Sequence, residues 1–139
     1  MPSKERRKGM KRVAVFFGTR PEAIKMAPVV KALRDAREIE PVVVATGQHR
    51  EMLQQVVDLF QIAVDHSLDV MRPNQTLASL TARLMQAIDA LLGEIDCDFC
   101  LTQGDTTTTF VASLASFYRR IPVGHVEAGL RTGNIHSPF

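Results

Sequence analysis

Residues 12–37 read RVAVFFGTRPEAIKMAPVVKALRDAR, and the order of these residues indicates a fold class. Residues 12–17 form a short, mostly apolar run that stops at Gly18, as a strand buried on both faces does. Residues 21–37 carry apolar side chains at helical spacing and begin with a proline, which suits the first turn of a helix. Because Pro28 cannot donate a backbone hydrogen bond, we also expect a kink or a break in this helix near Lys25.

The same order of strand, turn and helix recurs along the chain. The predicted strands are residues 12–17, 41–45, 99–102 and 121–126, and the predicted helices are residues 21–37, 50–60, 76–93 and 106–118. Consecutive parallel strands need a crossover, and a helix supplies one while covering a face of the sheet. We therefore predict an α/β domain with a doubly wound, parallel, Rossmann-like sheet.

Length and composition exclude several classes of protein. The 139 residues are one domain's worth of sequence, which excludes a two-domain enzyme. Hydrophobic residues make up 45% and charged residues 23%, which excludes a disordered, collagen-like or disulfide-framework protein. No window approaches the roughly 18 uncharged apolar residues that cross a bilayer, and no apolar segment follows the basic N-terminus as in a signal peptide. We expect a cytoplasmic protein with no membrane partner.

Basic residues are concentrated at the N-terminus. Residues 1–12 contain six basic residues and one acidic residue, although the net charge of the whole chain is only +2. No aromatic residue is interleaved with them to stack on bases, so we expect a solvated extension and no nucleic-acid partner. We divide the chain into a basic, disordered extension at residues 1–11 and a Rossmann-like lobe at residues 12–139.

Ligands of doubly wound sheets bind outside the carboxyl ends of the strands, so the segments that follow the predicted strands are candidates for a site. These segments are GTRPE at 18–22, TGQHR at 46–50, QGDTT at 103–107 and EAGLR at 127–131. The first has a single glycine where a dinucleotide fingerprint needs three, so NAD is not expected as a cofactor.

The segment after the first strand offers positive charge. Arg20 and Lys25 lie near the start of the predicted helix, whose N-terminus has unpaired N–H groups and a partial positive charge. Together these features predict an anion site. The alternative is that both residues are surface charges that pair with Glu22 or with solvent.

Two carboxylates follow the later strands. Asp105 stands where a helix N-cap would, a role that contributes about 1 kcal/mol. The four threonines after it are poor helix formers, so their hydroxyls are candidates to face a ligand. Glu127 follows a buried strand, where a carboxylate either caps the next loop or lies in a cleft with a raised pKa. Asp105 and Glu127 are therefore a candidate acid/base pair.

Longer segments surround these residues. They are FGTRPEAIKMAP (17–28), GQHREML (47–53), QGDTTTT (103–109) and PVGHVEAGLRTG (122–133). Together, and in this order, they resemble the non-hydrolysing UDP-N-acetylglucosamine 2-epimerases. The resemblance implies the N-terminal half of a two-lobed fold like that of the GT-B glycosyltransferases, with the C-terminal lobe absent. The sequence stops at Ser137-Pro138-Phe139, within a motif that continues into an acidic pair in that family.

The resemblance also implies a reaction. Members of the family convert UDP-GlcNAc into UDP-ManNAc by eliminating UDP and adding it back to a glycal intermediate, with no cofactor and no metal. By similarity Arg20, Lys25 and Thr106 bind the substrate, and Asp105 and Glu127 are catalytic, with either of them able to take the C2 proton. Similarity further implies homodimers in full-length relatives and a role in cell-envelope polysaccharide biosynthesis. Because the second lobe is absent, we expect the isolated chain to be inactive.

Two other functions are compatible with the sequence. The chain could be the lobe of a GT-B glycosyltransferase, or a fragment that binds a sugar nucleotide without catalysis. Bacterial members of the resembled family bind a second UDP-GlcNAc as an activator, and Gln48, Arg50 and Gln75 are the candidates for that regulatory site. The structural alternative is that His49 and Arg50 only open the next helix.

The remaining cysteines and histidines are expected to be structural. Cys97 and Cys100 form a CxxC that leads into a strand instead of opening a helix, so we expect two buried thiols and no redox centre. His125 lies within a predicted buried strand and is expected to be a hydrogen-bonded core histidine. His66 and His136 are assigned no role.

Overall fold

A computed structural model describes residues 9–47, 50–129 and 131–137, except for the side chains of residues 50–53. The elements are β1 (Lys11–Phe17), α1 (Arg20–Asp35), β2 (Ile39–Ala45), α2 (Arg50–Leu59), β3 (His66–Ser67), α3 (Leu77–Ile95), β4 (Phe99–Gln103), α4 (Thr107–Tyr118) and β5 (Val123–Val126). Every predicted strand and helix is present, with bounds shifted by at most two residues. Most of the predicted basic extension lies outside the described residues, and β1 begins at Lys11, one residue before the predicted lobe.

The five strands form one parallel sheet in the order β3-β2-β1-β4-β5. β1 lies at the centre, with Val15 opposite Val43 of β2 and Leu101 of β4. The chain moves outward from β1 to β3 and then crosses to the other side of β1, so the strand order reverses between β1 and β4. This is the topology of a doubly wound sheet, and the predicted fold class is confirmed.

Helices cover both faces of the sheet. Ala14 and Phe16 of β1 belong to a core formed with α3 and α4. Val15 and Phe17 point to the other face and belong to a core formed with α1 and α2. Because neither face of the central strands meets water, these strands are apolar throughout, which explains the apolar runs in the sequence. The described helices include none with the length and hydrophobicity needed to span a bilayer.

The shortest strand is absent from the prediction. β3 consists of His66 and Ser67, which pair with Val44 and Ala45 at the edge of β2. Two residues carry no periodicity, so a sequence pattern cannot identify them as a strand. The strand nevertheless places His66 in the sheet, although no role was expected for it.

Helix α1 runs without interruption through Pro28, and the expected break near Lys25 is wrong. The proline ring is exposed, so it costs the helix one backbone hydrogen bond without a clash against the sheet. Met26 and Val30, on either side of it, are almost fully buried against the sheet. Their packing against the sheet favours a continuous helix where the local sequence alone allows a break.

Arg12 is a buried structural residue, with only 4% of its surface exposed. Its Nε and Nη2 atoms both donate to Glu40 Oε2 at 3.0 Å, and its Nη1 donates to the Ile95 carbonyl at 2.7 Å. Glu40, the second residue of β2, lies in register with Arg12. The arginine therefore joins the starts of β1 and β2 to the last residue of α3. This contact lies at the amino ends of the strands, opposite to the predicted site.

Cys97 and Cys100 are both buried and free, as the sequence predicts, with their Sγ atoms 3.9 Å apart. The hydrogen bond with Cys100 and burial together raise the pKa of the Cys97 thiol. A thiol with a raised pKa is a poor nucleophile and a poor metal ligand. Among the described residues, no three His, Cys, Asp or Glu side chains cluster as a metal site.

Candidate active site

The turn after β1, formed by Gly18 and Thr19, is organised by Glu22. The N–H groups of Gly18 and Thr19 donate to Glu22 Oε2 at 2.8 and 2.7 Å, and the Thr19 hydroxyl donates to the same oxygen at 2.9 Å. Thr19 is the N-cap of α1 and Glu22 is its third residue, which is the pattern of a capping box. The Glu22 side chain therefore points back into the protein.

This arrangement corrects the predicted anion site in one respect. The N–H groups of Gly18 and Thr19 are not unpaired, because both already donate to Glu22. The charged groups that this turn offers to an anion are the side chains of Arg20 and Lys25. Both side chains are exposed, and neither pairs with Glu22. Among the described residues, the Arg20 guanidinium has no hydrogen bond or ion pair.

The turn after β4, residues 104–106, begins helix α4. Its N-cap is Thr106, whose hydroxyl accepts from the Thr109 amide at 3.3 Å, so the N-cap role considered for Asp105 is wrong. Asp105 is exposed and makes no hydrogen bond or ion pair with the described residues. Its carboxylate is thus not engaged in capping the helix that follows it.

The threonine hydroxyls mostly face the protein, contrary to the expectation that all four face a ligand. Thr108 and Thr109 are buried. The Thr108 hydroxyl bonds to the Thr46 hydroxyl at 2.8 Å, and the Thr109 hydroxyl donates to the Gln103 carbonyl at 2.6 Å. Thr106 is half-buried, and its hydroxyl donates to Glu22 Oε1. These bonds explain why a run of poor helix formers is stable at this helix start.

Glu127 follows β5 and is held by residues from two other strand ends. Lys25 Nζ donates to Glu127 Oε2 at 2.5 Å, and Gln103 Nε2 donates to the same oxygen. Oxygen Oε1 has no partner among the described residues, and about half of the side chain is exposed. The backbone of Glu127 has a positive φ of 60°, in the left-handed region that residues other than glycine adopt infrequently.

The charge state of Glu127 follows from these contacts. The hydrogen bond and charge of Lys25, with a smaller contribution from Gln103, lower the pKa of Glu127, and this effect exceeds the opposing effect of burial. The alternative in which a cleft raises this pKa is therefore wrong. Glu127 is an ionised carboxylate at neutral pH, with one oxygen fixed by donors and the other able to accept a proton.

His125 is exposed, and its assignment as a core histidine is wrong. It lies on β5, which is an edge strand with a helix, α4, on one side. Its Nε2 lies 2.5 Å from the Gly104 carbonyl oxygen. The histidine thus contacts the turn that leads to Asp105.

The strand ends bring most of the predicted site residues to one edge of the molecule. β1, β4 and β5 are neighbours in the sheet, and their carboxyl ends carry Arg20 and Lys25, Asp105 and Thr106, and Glu127, in that order. We call residues 18–25, 103–109 and 127 the rim site. It includes the point between β1 and β4 where the strand order reverses, which is where ligands bind in doubly wound sheets.

The predicted regulatory residues are not joined to the rim site by any contact that the structure describes. Gln48 and the side chain of Arg50 lie outside the described residues. Gln75 is half-buried, and both ends of its amide are engaged, since Oε1 accepts from Arg83 at 2.8 Å and Nε2 donates to the Met71 sulfur at 3.1 Å. Gln75 therefore fixes the segment before α3.

Sequence reasoning missed two residues of the rim site, Glu22 and Gln103. Glu22 has a recognisable signal, because Thr19 and Glu22 have the spacing of a capping box. No local pattern identifies Gln103, which ends β4 and is nearly fully buried. Its role depends on Glu127, which is 24 residues away in the chain.

The ion pair between Lys25 and Glu127 predicts a titration. In Lys25→Met, we expect the pKa of Glu127 to rise towards its ordinary value, because the hydrogen bond and the nearby cation that lower it are lost. Carboxyl carbon NMR over a pH series measures this change directly. Lys31→Met, which breaks a pair with Asp35 on the exposed side of α1, is the control and leaves Glu127 unchanged.

The same pair makes a small, pH-dependent contribution to stability. Because the pKa of Glu127 is lowered in the folded chain, the contribution is present above the ordinary carboxyl pKa and is lost as the pH falls through the lowered value. Both side chains are about half exposed, so solvent screens the interaction. A titration of Glu127 that is identical in wild type and Lys25→Met would show that the two side chains do not pair in solution.

Comparison with known proteins agrees with this geometry. A family model described as UDP-N-acetylglucosamine 2-epimerase matches residues 31–139. The chain belongs to this family. A UDP-N-acetylglucosamine 2-epimerase of Yersinia pestis is 56% identical over 128 residues, which are 92% of this chain and 34% of the relative. The chain thus spans about a third of the length of the curated epimerases that it matches.

Solved epimerase structures share the fold. The UDP-GlcNAc 2-epimerase of Neisseria meningitidis, determined with UDP-GlcNAc bound, is 53% identical with a TM-score of 0.87, over 94% of this chain and 35% of that one. The Methanocaldococcus jannaschii UDP-GlcNAc 2-epimerase, in complex with UDP-GlcNAc and UDP, is 28% identical with a TM-score of 0.84, over 91% and 35%. Membership of the epimerase family favours the epimerase interpretation over a glycosyltransferase lobe.

Proposed function

We propose that the rim site is one wall of the active site of a UDP-N-acetylglucosamine 2-epimerase, an isomerase that interconverts UDP-GlcNAc and UDP-ManNAc. The observation that carries the proposal is the contact of Lys25 with Glu127 at the carboxyl ends of neighbouring strands, the edge of the sheet where Asp105 and Arg20 also follow strands. Family membership and the UDP-GlcNAc and UDP found in related structures support the substrate. The related chains are about three times longer, and we propose that a second, GT-B-like lobe supplies the other wall.

The proposed reaction needs a base and a place for a leaving diphosphate. A carboxylate takes the C2 proton, the electron pair of that C–H bond forms the C1–C2 double bond, and the C1–O bond breaks with its electrons leaving on UDP. Re-addition reverses these steps, with the proton delivered to the opposite face of C2. Arg20 and Lys25 are placed to neutralise the departing diphosphate. Every atom of UDP is recovered, so no oxidant or cofactor is consumed.

Inversion at C2 calls for proton transfer on both faces of the sugar ring. Two carboxylates from neighbouring strand ends, Asp105 and Glu127, fit that requirement better than one. Glu127 is ionised and has a free oxygen, and Asp105 is exposed and not used as a cap. We propose that both are catalytic and that Thr106, which borders Asp105, contributes to substrate binding.

The isolated 139-residue chain is expected to leave UDP-GlcNAc unchanged. A single wall cannot enclose the glycal or hold UDP for re-addition, and the chain spans about a third of its relatives. Proton NMR of the anomeric signals during incubation measures the product, with an active full-length relative as the positive control. Accumulation of UDP-ManNAc with the chain alone would falsify the need for a second wall.

We propose that the complete enzyme is a homodimer. Phe110 and Phe117 of α4 are 62% and 73% exposed and lie two helical turns apart on one face, and Leu77 at the start of α3 is 75% exposed. Exposed apolar residues grouped in this way are typical of protein interfaces. Both helices pack against each other on the side of the sheet away from α1.

We propose a cytoplasmic location and a role in cell-envelope polysaccharide biosynthesis, because the substrate is a nucleotide sugar of the kind those pathways consume. A regulatory UDP-GlcNAc site at Gln48, Arg50 and Gln75 is also kept as a proposal. Its support is the similarity of the GQHREML segment to bacterial members of the family. Gln75 would take part by exchanging its bond with Arg83 for one with the ligand.

A further inference from the structure

Glu22 is the most deeply buried carboxylate of the rim site, with 2% of its surface exposed. A carboxylate is costly to bury unless donors surround it. Here the two oxygens have different partners. Oε2 accepts from the two amides and the hydroxyl of the β1 turn, Gly18 and Thr19, whereas Oε1 accepts from the Thr106 hydroxyl at the start of α4, with the Thr109 hydroxyl 3.3 Å away.

Capping of α1 explains only the bonds of Oε2. A capping box needs only one glutamate oxygen facing the N-cap amide. The second oxygen of Glu22 reaches Thr106, 84 residues later in the chain. The bonds therefore cross from the β1 turn to the start of α4, at the point in the sheet where the strand order reverses.

The two helix starts that Glu22 connects carry the charged groups of the rim site. Arg20 and Lys25 lie on α1, and Asp105 immediately precedes the N-cap of α4. Glu22 makes no described contact with any of these three side chains. Its burial also keeps it from touching a substrate, so any influence on the site acts through the position of the two helices.

We propose that Glu22 is a positioning residue that bonds the start of α1 to the start of α4 and so fixes the cationic and acidic groups of the rim site relative to one another. The inference rests on the proposed function for its catalytic meaning. The bond between the two helix starts is a property of the folded chain alone. It can be tested without any substrate.

The first test measures amide hydrogen exchange in the 139-residue chain. In Glu22→Gln, whose amide replaces one acceptor by a donor, we expect exchange to accelerate about tenfold at both helix starts: at Gly18 and Thr19, and at Thr109, whose amide donates to Thr106. Glu94→Gln, at an exposed position on α3, is the matched control and changes neither. Faster exchange at Gly18 and Thr19 with no change at Thr109 means that Glu22 only caps α1, and this overturns the inference.

A reciprocal variant covers the case in which Glu22→Gln does not fold. Thr106→Val removes the hydroxyl on the α4 side without touching Glu22, and Thr106→Ser keeps it. We expect Thr106→Val to accelerate exchange at Gly18 and Thr19 severalfold, and Thr106→Ser to leave it near the wild-type rate. Equal rates in the two variants contradict a bond that transmits position between the helices.

The second test measures the titration of Glu127, which a loss of stability alone does not change. In Glu22→Gln the start of α1 is no longer fixed to α4, so Lys25 should spend less time against Glu127. The Glu127 carboxyl should then titrate at a higher pH than in wild type, shifted in the same direction as in Lys25→Met. An unchanged Glu127 titration in a folded Glu22→Gln chain overturns the positioning role. Because neither readout uses UDP-GlcNAc, failure here is distinguishable from failure of the proposed function.

Discussion

Replacing Glu127 by glutamine in an active epimerase that carries this rim site is expected to lower kcat about 100-fold or more, the usual effect of removing an acid or base group. The substitution keeps the size of the side chain and the oxygen that accepts from Lys25, but it removes the charge and the basic lone pair. Asp105→Asn is expected to act in the same way. Steady-state assays of UDP-ManNAc formation measure both effects.

The matched control for these variants is Glu94→Gln, which makes the same chemical change on the exposed surface of α3. It is expected to leave kcat at the wild-type value. Near-normal kcat in both Glu127→Gln and Asp105→Asn would remove the two carboxylates from the mechanism. A loss confined to KM would assign them to binding, since uniform binding energy does not appear in kcat.

Arg12→Met is expected to cost about 3 kcal/mol of unfolding free energy, which is a large share of the stability of a domain of this size. The substitution leaves the carboxylate of Glu40, whose side chain is 16% exposed, without its partner in a mostly buried position. It also removes the bond to the Ile95 carbonyl at the end of α3. Urea unfolding followed by circular dichroism measures the difference.

Two further variants separate the buried ion pair from a general effect of charge. Lys11→Met changes the preceding residue of β1, whose side chain is 72% exposed and pairs with Asp98, and its expected cost is at most about 1 kcal/mol. Arg12→Met combined with Glu40→Leu should recover much of the loss, because apolar replacement of a whole buried pair is often well tolerated. Equal effects of Lys11→Met and Arg12→Met would contradict the structural role of Arg12.

The fold was accessible from sequence because its determinants are local and repeated. Strands buried on both faces need continuous apolar runs, and the helices between them show helical spacing, as β1 and α3 illustrate. β3 was not predicted because two residues are too few to show a periodic pattern. The exposure of His125 was not predicted for a different reason. The predicted strand at 121–126 is mostly apolar like the others, and only the order of strands in the sheet shows that β5 lies at the edge.

The rim site was accessible only in part. The rule that ligands bind beyond strand ends selects Arg20, Asp105 and Glu127, and the sheet does place their segments side by side. What each carboxylate does depends on partners far away in sequence. Lys25 lowers the pKa of Glu127 from 102 residues away. Thr106, not Asp105, caps α4, and its hydroxyl also reaches Glu22. Such contacts follow from tertiary structure.

In the proposed reaction, Lys25 can pair either with Glu127 or with the substrate diphosphate, and this affects when Glu127 is basic enough to act. With the ammonium against it, Glu127 is a weak base, poorly suited to pulling a proton from carbon. An arriving diphosphate competes for the same ammonium and brings negative charge of its own, and both changes increase the proton affinity of the carboxylate. Substrate binding would thereby make Glu127 a stronger base towards the C2 proton. Without substrate, Glu127 would remain a weak base.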